Sequence, residues 1–201
     1  MSEAAGARRH VIFKGPVEKA KWLDAGASED ATEPELRRWA AHRFLYDARS
    51  QLFGLDRIAH AVHRFVRDRI AYVHDWGGKE EFADSRTILA RAYDDCDGKA
   101  RLFVAIIRAL GIPELQARIR PVFKGRDFVH VQAEVKFPGS EHDPRSFDGG
   151  WLLAELIVEG VELGDDPKKG RDASGHYVMA GPPPPSRAEL VAEHADVKRR
   201  R

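Results

Sequence analysis

The chain has almost no cysteine and no long apolar run: Cys96 is the only thiol among 201 residues. One cysteine excludes an internal disulfide framework and argues against a cysteine-ligated structural zinc site. No segment approaches the roughly 20 consecutive apolar residues of a membrane-spanning helix, and the opening residues, MSEAAGARRH, lack the apolar centre of a signal peptide. We therefore expect a soluble protein in the reducing cytoplasm, where a single thiol stays free.

An excess of charge of either sign is also absent. The 33 basic and 32 acidic residues give a formal net charge of +1, so no overall field attracts nucleic acid or an anionic membrane, and we expect neither as a partner. The basic run Lys198–Arg201 is typical of a solvated tail. Hydrophobic residues make up 43% of the chain, which is enough for one domain with its own core.

The pattern of apolar residues is helical in the first half of the chain and alternating in the second. Helices are predicted after Thr32, Gly54, Asp84 and Asp95, and the last of them should end at Gly111. Three strands are then predicted, which would pair as an antiparallel meander: QARIRPVF, DFVHVQAEVKF and WLLAELIVEGVEL. Helices followed by strands define an α+β fold.

These segments divide the chain into three parts. Residues 1–30 are predicted to be a poorly specified arm, with HVIFKG as a short edge strand and AGASED as a linker. Residues 31–180 form the predicted domain, in which Thr32 should cap the first helix and HDWGG should end the second. Residues 181–201 combine a stiff proline spacer, GPPPPS, with a charged tail that opens on a capping-box pattern, Ser186 with Glu189.

The stretch DDCDGKARLFVAIIRALGI places Cys96 at the start of an apolar helix. Unpaired N–H groups and the positive end of the helix dipole stabilise a thiolate there, and the same groups can bind an oxyanion. The carboxylates of Asp94, Asp95 and Asp97 act against this, unless they serve as caps or ion-pair partners. The alternative is a small buried hydrophobic residue, although the charged flank argues against deep burial.

A nucleophilic cysteine needs a base, and His130 is the best placed of the nine histidines because it interrupts a valine-rich strand. From the residues alone, a strand histidine with an ordinary structural role is about as well supported. His60 and His63 have helical spacing but lack a third ligand, so we expect them on a solvated or rim face rather than on a metal. His74 precedes a turn and is expected to be a cap or surface residue.

Three segments in fixed order resemble the transglutaminase-like superfamily of cysteine enzymes, in a bacterial or prophage-type form: DSRTILARAYDDCDGKARLFVAIIRALGI, FVHVQAEVKFPG and GGWLLAEL. In that superfamily an acid-Cys segment opens a long helix, the histidine follows in a strand reading His-x-Trp-x-Glu-Val, and a carboxylate comes four residues after a tryptophan in the next strand. The resemblance spans about residues 70–156. It implies a papain-like core in which the cysteine-bearing helix packs on an antiparallel sheet.

Carried over residue by residue, the resemblance implies Cys96 as nucleophile, His130 as general base and Glu155 as the acid that orients the histidine. Glutamate replaces the aspartate that the superfamily usually has, so the loop residues Asp143 and Asp148 stay open as alternatives. We prefer Glu155, because its place in a strand fixes its direction.

Two further positions depart from the superfamily pattern. Gln132 stands where tryptophan is common, and Tyr93 replaces a smaller residue before the acid-Cys segment, where it could wall the cleft. Phe128 and Arg120, with residues near Trp76, are further candidates for lining the cleft.

The activity implied is cysteine-dependent acyl transfer on a protein or peptide substrate, with no metal or other cofactor. We favour hydrolysis, as in a peptidase, amidase or deamidase. A protein-glutamine transferase that crosslinks to an amine is the second hypothesis. The third is a non-catalytic domain that keeps the fold for binding or assembly, and it draws on the Glu155 and Gln132 departures, the proline spacer and the basic tail.

Overall fold

The computed structural model describes residues 13, 15–45, 54–74, 82–124, 127–167, 179–186 and 189. For residues 123, 124 and 127–130 it describes the backbone alone. Three helices come first, two further helices each follow a two-residue strand, and a three-stranded sheet ends the series. In chain order they are α1 (Pro16–Asp30), α2 (Pro34–Phe44), α3 (Leu55–Arg69), β1 (Ala71–Tyr72), α4 (Ser85–Arg91), β2 (Tyr93–Asp94), α5 (Cys96–Ala109), β3 (Gln116–Lys124), β4 (Asp127–Lys136), a 3-10 turn (Ser140–His142) and β5 (Leu152–Ala154).

The sheets confirm the α+β class and the predicted meander. β3, β4 and β5 pair antiparallel in sequence order, with Ile119 opposite Ala133 and Ala133 opposite Ala154. β1 and β2 form a separate parallel pair that joins the ends of α3 and α4. The parallel pair directly precedes α5, so it fixes where the first turn of that helix begins.

Helix α5 lies at the centre of the described structure. Its apolar residues Leu102–Ile107 are fully buried, and they belong to one core together with side chains of the helices before it and the sheet after it. Helix α1, the other helices and strands β3 and β4 all pack against it. The helix ends as predicted, with Gly111 in the left-handed conformation at φ 67°. Burial on every side makes α5 a rigid support for the residue at its N-terminus.

The prediction of a linker at AGASED is wrong, because residues 25–30 form the last turns of α1. Gly26 lies within this helix, and the tertiary structure favours glycine there because a Cβ would lie 2.8 Å from the guanidinium carbon of Arg101. Helix α1 buries Leu23 and Ala27 in the core, so residues 16–30 are not a poorly specified arm. Most of HVIFKG lies outside the described residues, and the three-part division of the chain stays a prediction.

Helix boundaries differ from prediction at two places. Glu33 rather than Thr32 is the N-cap residue of α2, and Thr32 donates its hydroxyl to the Glu29 carbonyl instead. Helix α3 ends at Arg69, before HDWGG, because Ile70 is extended and the following residues pair with β2. The residues of HDWGG after His74 lie outside the described part of the chain.

The third predicted strand is much shorter than the segment WLLAELIVEGVEL. Strand β5 covers Leu152–Ala154 only. The chain then turns away, because the Glu155 carboxylate accepts the N–H of Ile157, a donor that a continuing strand would give to its neighbour. The loop between β4 and β5 is turn-rich, as predicted.

The capping-box prediction near the C-terminus is confirmed. The Ser186 N–H donates to the Glu189 carboxylate, and the Glu189 N–H donates to the Ser186 hydroxyl. Within the described ranges, no helix is long and apolar enough to cross a membrane.

Candidate active site

Cys96 is the first residue of α5, and Asp95 is its N-cap. The Asp95 carboxylate accepts the N–H groups of Asp97 and Gly98, at 2.9 and 3.0 Å. These two helix-end donors are therefore occupied by the cap and not directed at an oxyanion. Cys96 is partly buried, so its side chain at the start of the helix can still be reached.

The two other flanking aspartates have specific partners, as the sequence suggested they could. Asp94 accepts from Arg91 at 2.5 Å and from the N–H of Asp95 at 2.9 Å. Asp97 pairs with Lys19 of α1, and both side chains are almost fully buried. Gly98 is required by this arrangement, since a Cβ there would lie 2.2 Å from the carboxyl carbon of Asp94. Asp94 and Asp97 are thus buried ion-pair partners and Asp95 is a cap, which agrees with the alternative that the sequence left open, although the sequence did not identify the partners.

The surroundings of Cys96 favour the neutral thiol. Burial, followed by the charges of Asp97 and Asp95, raises the pKa of Cys96 well above its ordinary value. The nearby backbone of Val131 and the charge of Lys19 act in the opposite direction and lower the thiol pKa. The sulfur also lies 3.8 Å from Oδ1 of Asp97, a carboxylate to which the thiol can donate. A nucleophilic role therefore requires a base that removes this proton.

The contact with Val131 places the sulfur of Cys96 against β4, at the peptide that joins His130 to Val131. In the sheet, the His130 backbone lies opposite Val122. The described structure thus brings the predicted nucleophile to the strand position next to the predicted base. The side chain of His130 lies outside the described part of the structure, so its role stays a prediction.

Glu155 directly follows β5 and is almost fully buried, so the expectation that it lies within the strand is wrong. Its carboxylate accepts from the Gln132 amide at 2.8 Å and from the Ile157 N–H at 3.0 Å, and its main-chain carbonyl accepts from His63. The register that pairs Ala133 with Ala154 brings Gln132 alongside Glu155. Gln132, which departs from the superfamily pattern, therefore holds the predicted acid in place.

The loop alternatives to Glu155 have other surroundings. Asp143 accepts two hydrogen bonds from the Arg145 guanidinium, at 2.9 and 2.7 Å, and these bonds lower the pKa of Asp143 to about 2. Asp148 occupies a left-handed turn position at φ 45°. Glu155 is thus the most deeply buried of the three carboxylates, and its role in a triad stays a prediction.

The expectation of a solvated or rim position for His63 is wrong, because this side chain is fully buried. Its Nε2 lies 2.7 Å from the Glu155 carbonyl oxygen, which only accepts, so Nε2 carries the proton. Burial lowers the pKa of His63 to about 4. Its Nδ1 has no hydrogen-bond partner among the described residues. His60, by contrast, lies near the Glu162 carboxylate at the edge of the protein.

Lys99, one turn after Cys96, is a buried site residue that the sequence reading missed. Its side chain is fully buried, and its amine donates to the carbonyl oxygens of Arg67 and Ile70 at the end of α3. Burial lowers the pKa of Lys99 to about 7. The sequence signal was a charged residue inside an apolar helix. Its partners could not be read from the local pattern, because they lie about 30 positions away in the chain.

The remaining candidates are placed as follows. Tyr93 is buried on β2 with its ring 4.8 Å from the guanidinium carbon of Arg91. His74 is exposed beside the Tyr72 hydroxyl, consistent with a surface residue. The side chain of Phe128, and Trp76, lie outside the described part of the chain. Among described residues, no group of three or more histidine, cysteine or acidic side chains is arranged to hold a metal ion.

The fold and the placement of Cys96 define a cysteine-bearing α+β protein with its thiol at the start of a central helix. The family model of the transglutaminase-like superfamily matches residues 37–155, well over half of the chain. The chain belongs to this superfamily, and the resemblance seen in its motifs is confirmed.

One solved structure from Cytophaga hutchinsonii, described as a "putative cysteine protease", is similar at 18% sequence identity and a TM-score of 0.43. The similarity covers 64% of this chain and 40% of the other, so the chain spans two fifths of that protein's length. No curated protein matches the sequence.

Proposed function

We propose that the protein catalyses cysteine-dependent acyl transfer on a peptide or amide, with hydrolysis as the principal reaction. Cys96 is the nucleophile, His130 the base and Glu155 the acid that orients it. The observation that carries the proposal is that α5, which begins at Cys96, packs against β4, the strand that contains His130. The backbone of Val131, the residue next to His130, lies close enough to the thiol to affect its pKa. Membership of a superfamily of cysteine enzymes supports the same assignment.

The chemistry follows from the neutral thiol. His130 removes the Cys96 proton as the sulfur attacks an amide carbonyl, and a tetrahedral oxyanion forms. The amide C–N bond then breaks, and His130 returns the proton to the departing amine. Water, activated by the same histidine, attacks the thioester and releases the acid and the thiol. Because Asp95 occupies the N–H groups of Asp97 and Gly98, we assign the Cys96 N–H and one further donor to the oxyanion.

The dyad can be tested by alkylation with iodoacetamide, because Cys96 is the only cysteine and whole-protein mass reports its reaction alone. Burial and then the neighbouring carboxylates raise the thiol pKa, so reactivity at about pH 6–7 has to come from the histidine. We expect His130→Ala to slow labelling in this range by roughly tenfold or more. In this variant, labelling should become fast only at alkaline pH.

Two variants control this experiment. Cys96→Ala should not be labelled at all, and His142→Ala, which removes an exposed histidine of the 3-10 turn, should behave as the wild type. If the wild type and His130→Ala gave the same rate at every pH, the dyad would be refuted and a non-catalytic role would be favoured.

Hydrolysis and transfer are separated by product analysis. A glutamine-containing peptide is incubated with and without a labelled primary amine, and ammonia, new peptide amino termini and amine incorporation are measured together. We expect ammonia or new termini to dominate, with Cys96→Ala inactive. Preferential incorporation of the amine would overturn hydrolysis in favour of crosslinking.

A further inference from the structure

Two arginines lie side by side on the face of β3 and β4 that is turned away from α5. The alternating residues Ala117, Ile119, Val131 and Ala133 face the core, so Arg118 and Arg120 lie on the opposite face. Both donate to one carboxylate: Arg118 Nε lies 2.6 Å from one oxygen of Glu134, and Arg120 Nη1 lies 2.9 Å from the other.

Each guanidinium is also held against an aromatic ring. The guanidinium carbon of Arg118 lies 4.1 Å from the ring centroid of Trp151, and that of Arg120 lies 4.9 Å from the ring centroid of Phe147. Each guanidinium plane is held by an aromatic ring on one side and by the Glu134 carboxylate at one edge. Nevertheless the two side chains are 43% and 47% exposed. They are preorganised and accessible to a ligand.

The charges of this cluster do not balance. Glu134 is fully buried and carries one negative charge, whereas the two arginines carry two positive charges. One bidentate arginine would neutralise the carboxylate. Within the described structure each guanidinium uses a single N–H group for Glu134, so further N–H groups of both point to solvent or to a ligand. Forked N–H donors of this kind match the geometry of a carboxylate.

The cluster adjoins the candidate active site. Arg120 lies directly opposite Gln132 in the sheet, and Gln132 donates to Glu155. The preceding residue, Val131, has its backbone close to the Cys96 thiol. Neighbouring strands are about 4.8 Å apart, so the arginines are one strand away from the residues that hold the predicted acid and contact the nucleophile.

We propose that Arg118 and Arg120 form an anion subsite that binds a carboxylate of the substrate, so that the preferred substrate is an acidic peptide. As a substrate preference, this rests on the proposed function. A purely structural role in compensating Glu134 is the competing explanation, and it does not account for the second positive charge.

Binding is measured separately from turnover with the inactive Cys96→Ala protein. The probes are acetyl-Glu-Gln-Glu-amide and the uncharged acetyl-Gln-Gln-Gln-amide, which have nearly the same size. In titration calorimetry we expect the acidic peptide to bind roughly tenfold tighter or more. This advantage should shrink in about 0.5 M salt, because the guanidiniums are half exposed and salt screens them.

The variants separate recognition from folding. In the Cys96→Ala background, Arg120→Gln should reduce the preference for the acidic peptide. Arg86→Gln removes an exposed arginine of α4 that is paired with Glu35, and it should leave this preference unchanged. Arg120→Gln leaves the buried Glu134 carboxylate with one partner, which could destabilise the fold. The double change Arg120→Gln with Glu134→Gln removes both charges, so loss of binding can be distinguished from loss of folding. Glu134→Gln alone should tighten binding of the acidic peptide, an effect that a structural arginine pair would not produce.

The outcomes are distinct. Equal binding of the two peptides in low salt, or equal weakening by Arg86→Gln and Arg120→Gln, would overturn the subsite. Turnover that depends on Cys96 but shows no preference for the acidic peptide would leave the proposed function standing without the subsite. Salt-dependent binding of the acidic peptide without any cleavage would support the subsite and count against the proposed function.

Discussion

Lys99 offers a sharp physical test of how the candidate site is built. This lysine is fully buried one turn after Cys96, and it ties α5 to the end of α3 by donating to the carbonyl oxygens of Arg67 and Ile70, at 3.2 and 2.6 Å. The change Lys99→Met keeps the length of the side chain and removes both the charge and the donors. Two buried carbonyl groups then lose a partner, which costs about 1–3 kcal/mol for each group left unsatisfied.

The pH dependence of this change can be worked out from the buried amine. Burial lowers the pKa of Lys99 from 10.5 to about 7 in the folded protein. Between these values the unfolded chain carries a proton that the folded protein has released, so folded stability rises with pH. The slope is about 1.4 kcal/mol per pH unit, or about 5 kcal/mol across the whole interval. Lys99→Met lacks this contribution, so the stability advantage of the wild type should grow from pH 7 towards pH 10.

Urea unfolding of both proteins at about pH 7, 8 and 9 measures the effect. The quantity of interest is the difference in unfolding free energy between wild type and variant, because other titrating groups are common to both. Lys21→Met, at an exposed position of α1, serves as the matched control, and its difference from the wild type should stay flat. If the wild-type and Lys99→Met curves ran parallel, Lys99 would not be a buried amine of lowered pKa, and the reasoning would be refuted.

Three further changes test the surroundings of the site by unfolding measurements. Gly98→Ala places a Cβ 2.2 Å from the carboxyl carbon of Asp94, so we expect a loss of about 2 kcal/mol or more, and a neutral result would contradict the close packing. Gln132→Leu removes a donor from the buried Glu155 carboxylate and should cost about 1–3 kcal/mol. His63→Leu should reduce the loss of stability on acidification: the pKa of His63 is lowered to about 4, so the wild type loses about 1.4 kcal/mol per pH unit as pH falls from 6.5 to 4. Equal acid sensitivity of the two proteins would argue against a neutral buried histidine.

The sequence predicted the elements whose signals are local. The Asp84 side chain caps α4 by accepting the Thr87 N–H, as a short polar residue before an apolar run indicates. Gly111 ends α5 in the left-handed conformation. The alternation of the last two long strands predicted their pairing and the core position of Val131 and Ala133. These signals need only a few neighbouring residues, which is why they could be read without coordinates.

The sequence misled where a distant residue overrides the local pattern. Gly26 looked like part of a linker, yet it lies within α1, where the absence of a side chain leaves room for the Arg101 guanidinium. His63 looked like a rim residue, yet it is buried against the carbonyl of Glu155, which is 92 positions away. The third strand looked long, but the Glu155 carboxylate turns the chain by accepting the Ile157 N–H. Each case depends on a partner that the linear pattern does not specify.

For the active-site candidates the division is the same. The sequence by itself determined the superfamily, the α+β order and the start of an apolar helix at Cys96, because all of these are encoded in residue spacing. Only the tertiary structure decided that the flanking aspartates are paired with Lys19 and Arg91, and that the sulfur contacts the strand beside His130. Burial and charge depend on which distant groups fold together, and therefore the protonation of the thiol could not be read from its neighbours in the chain.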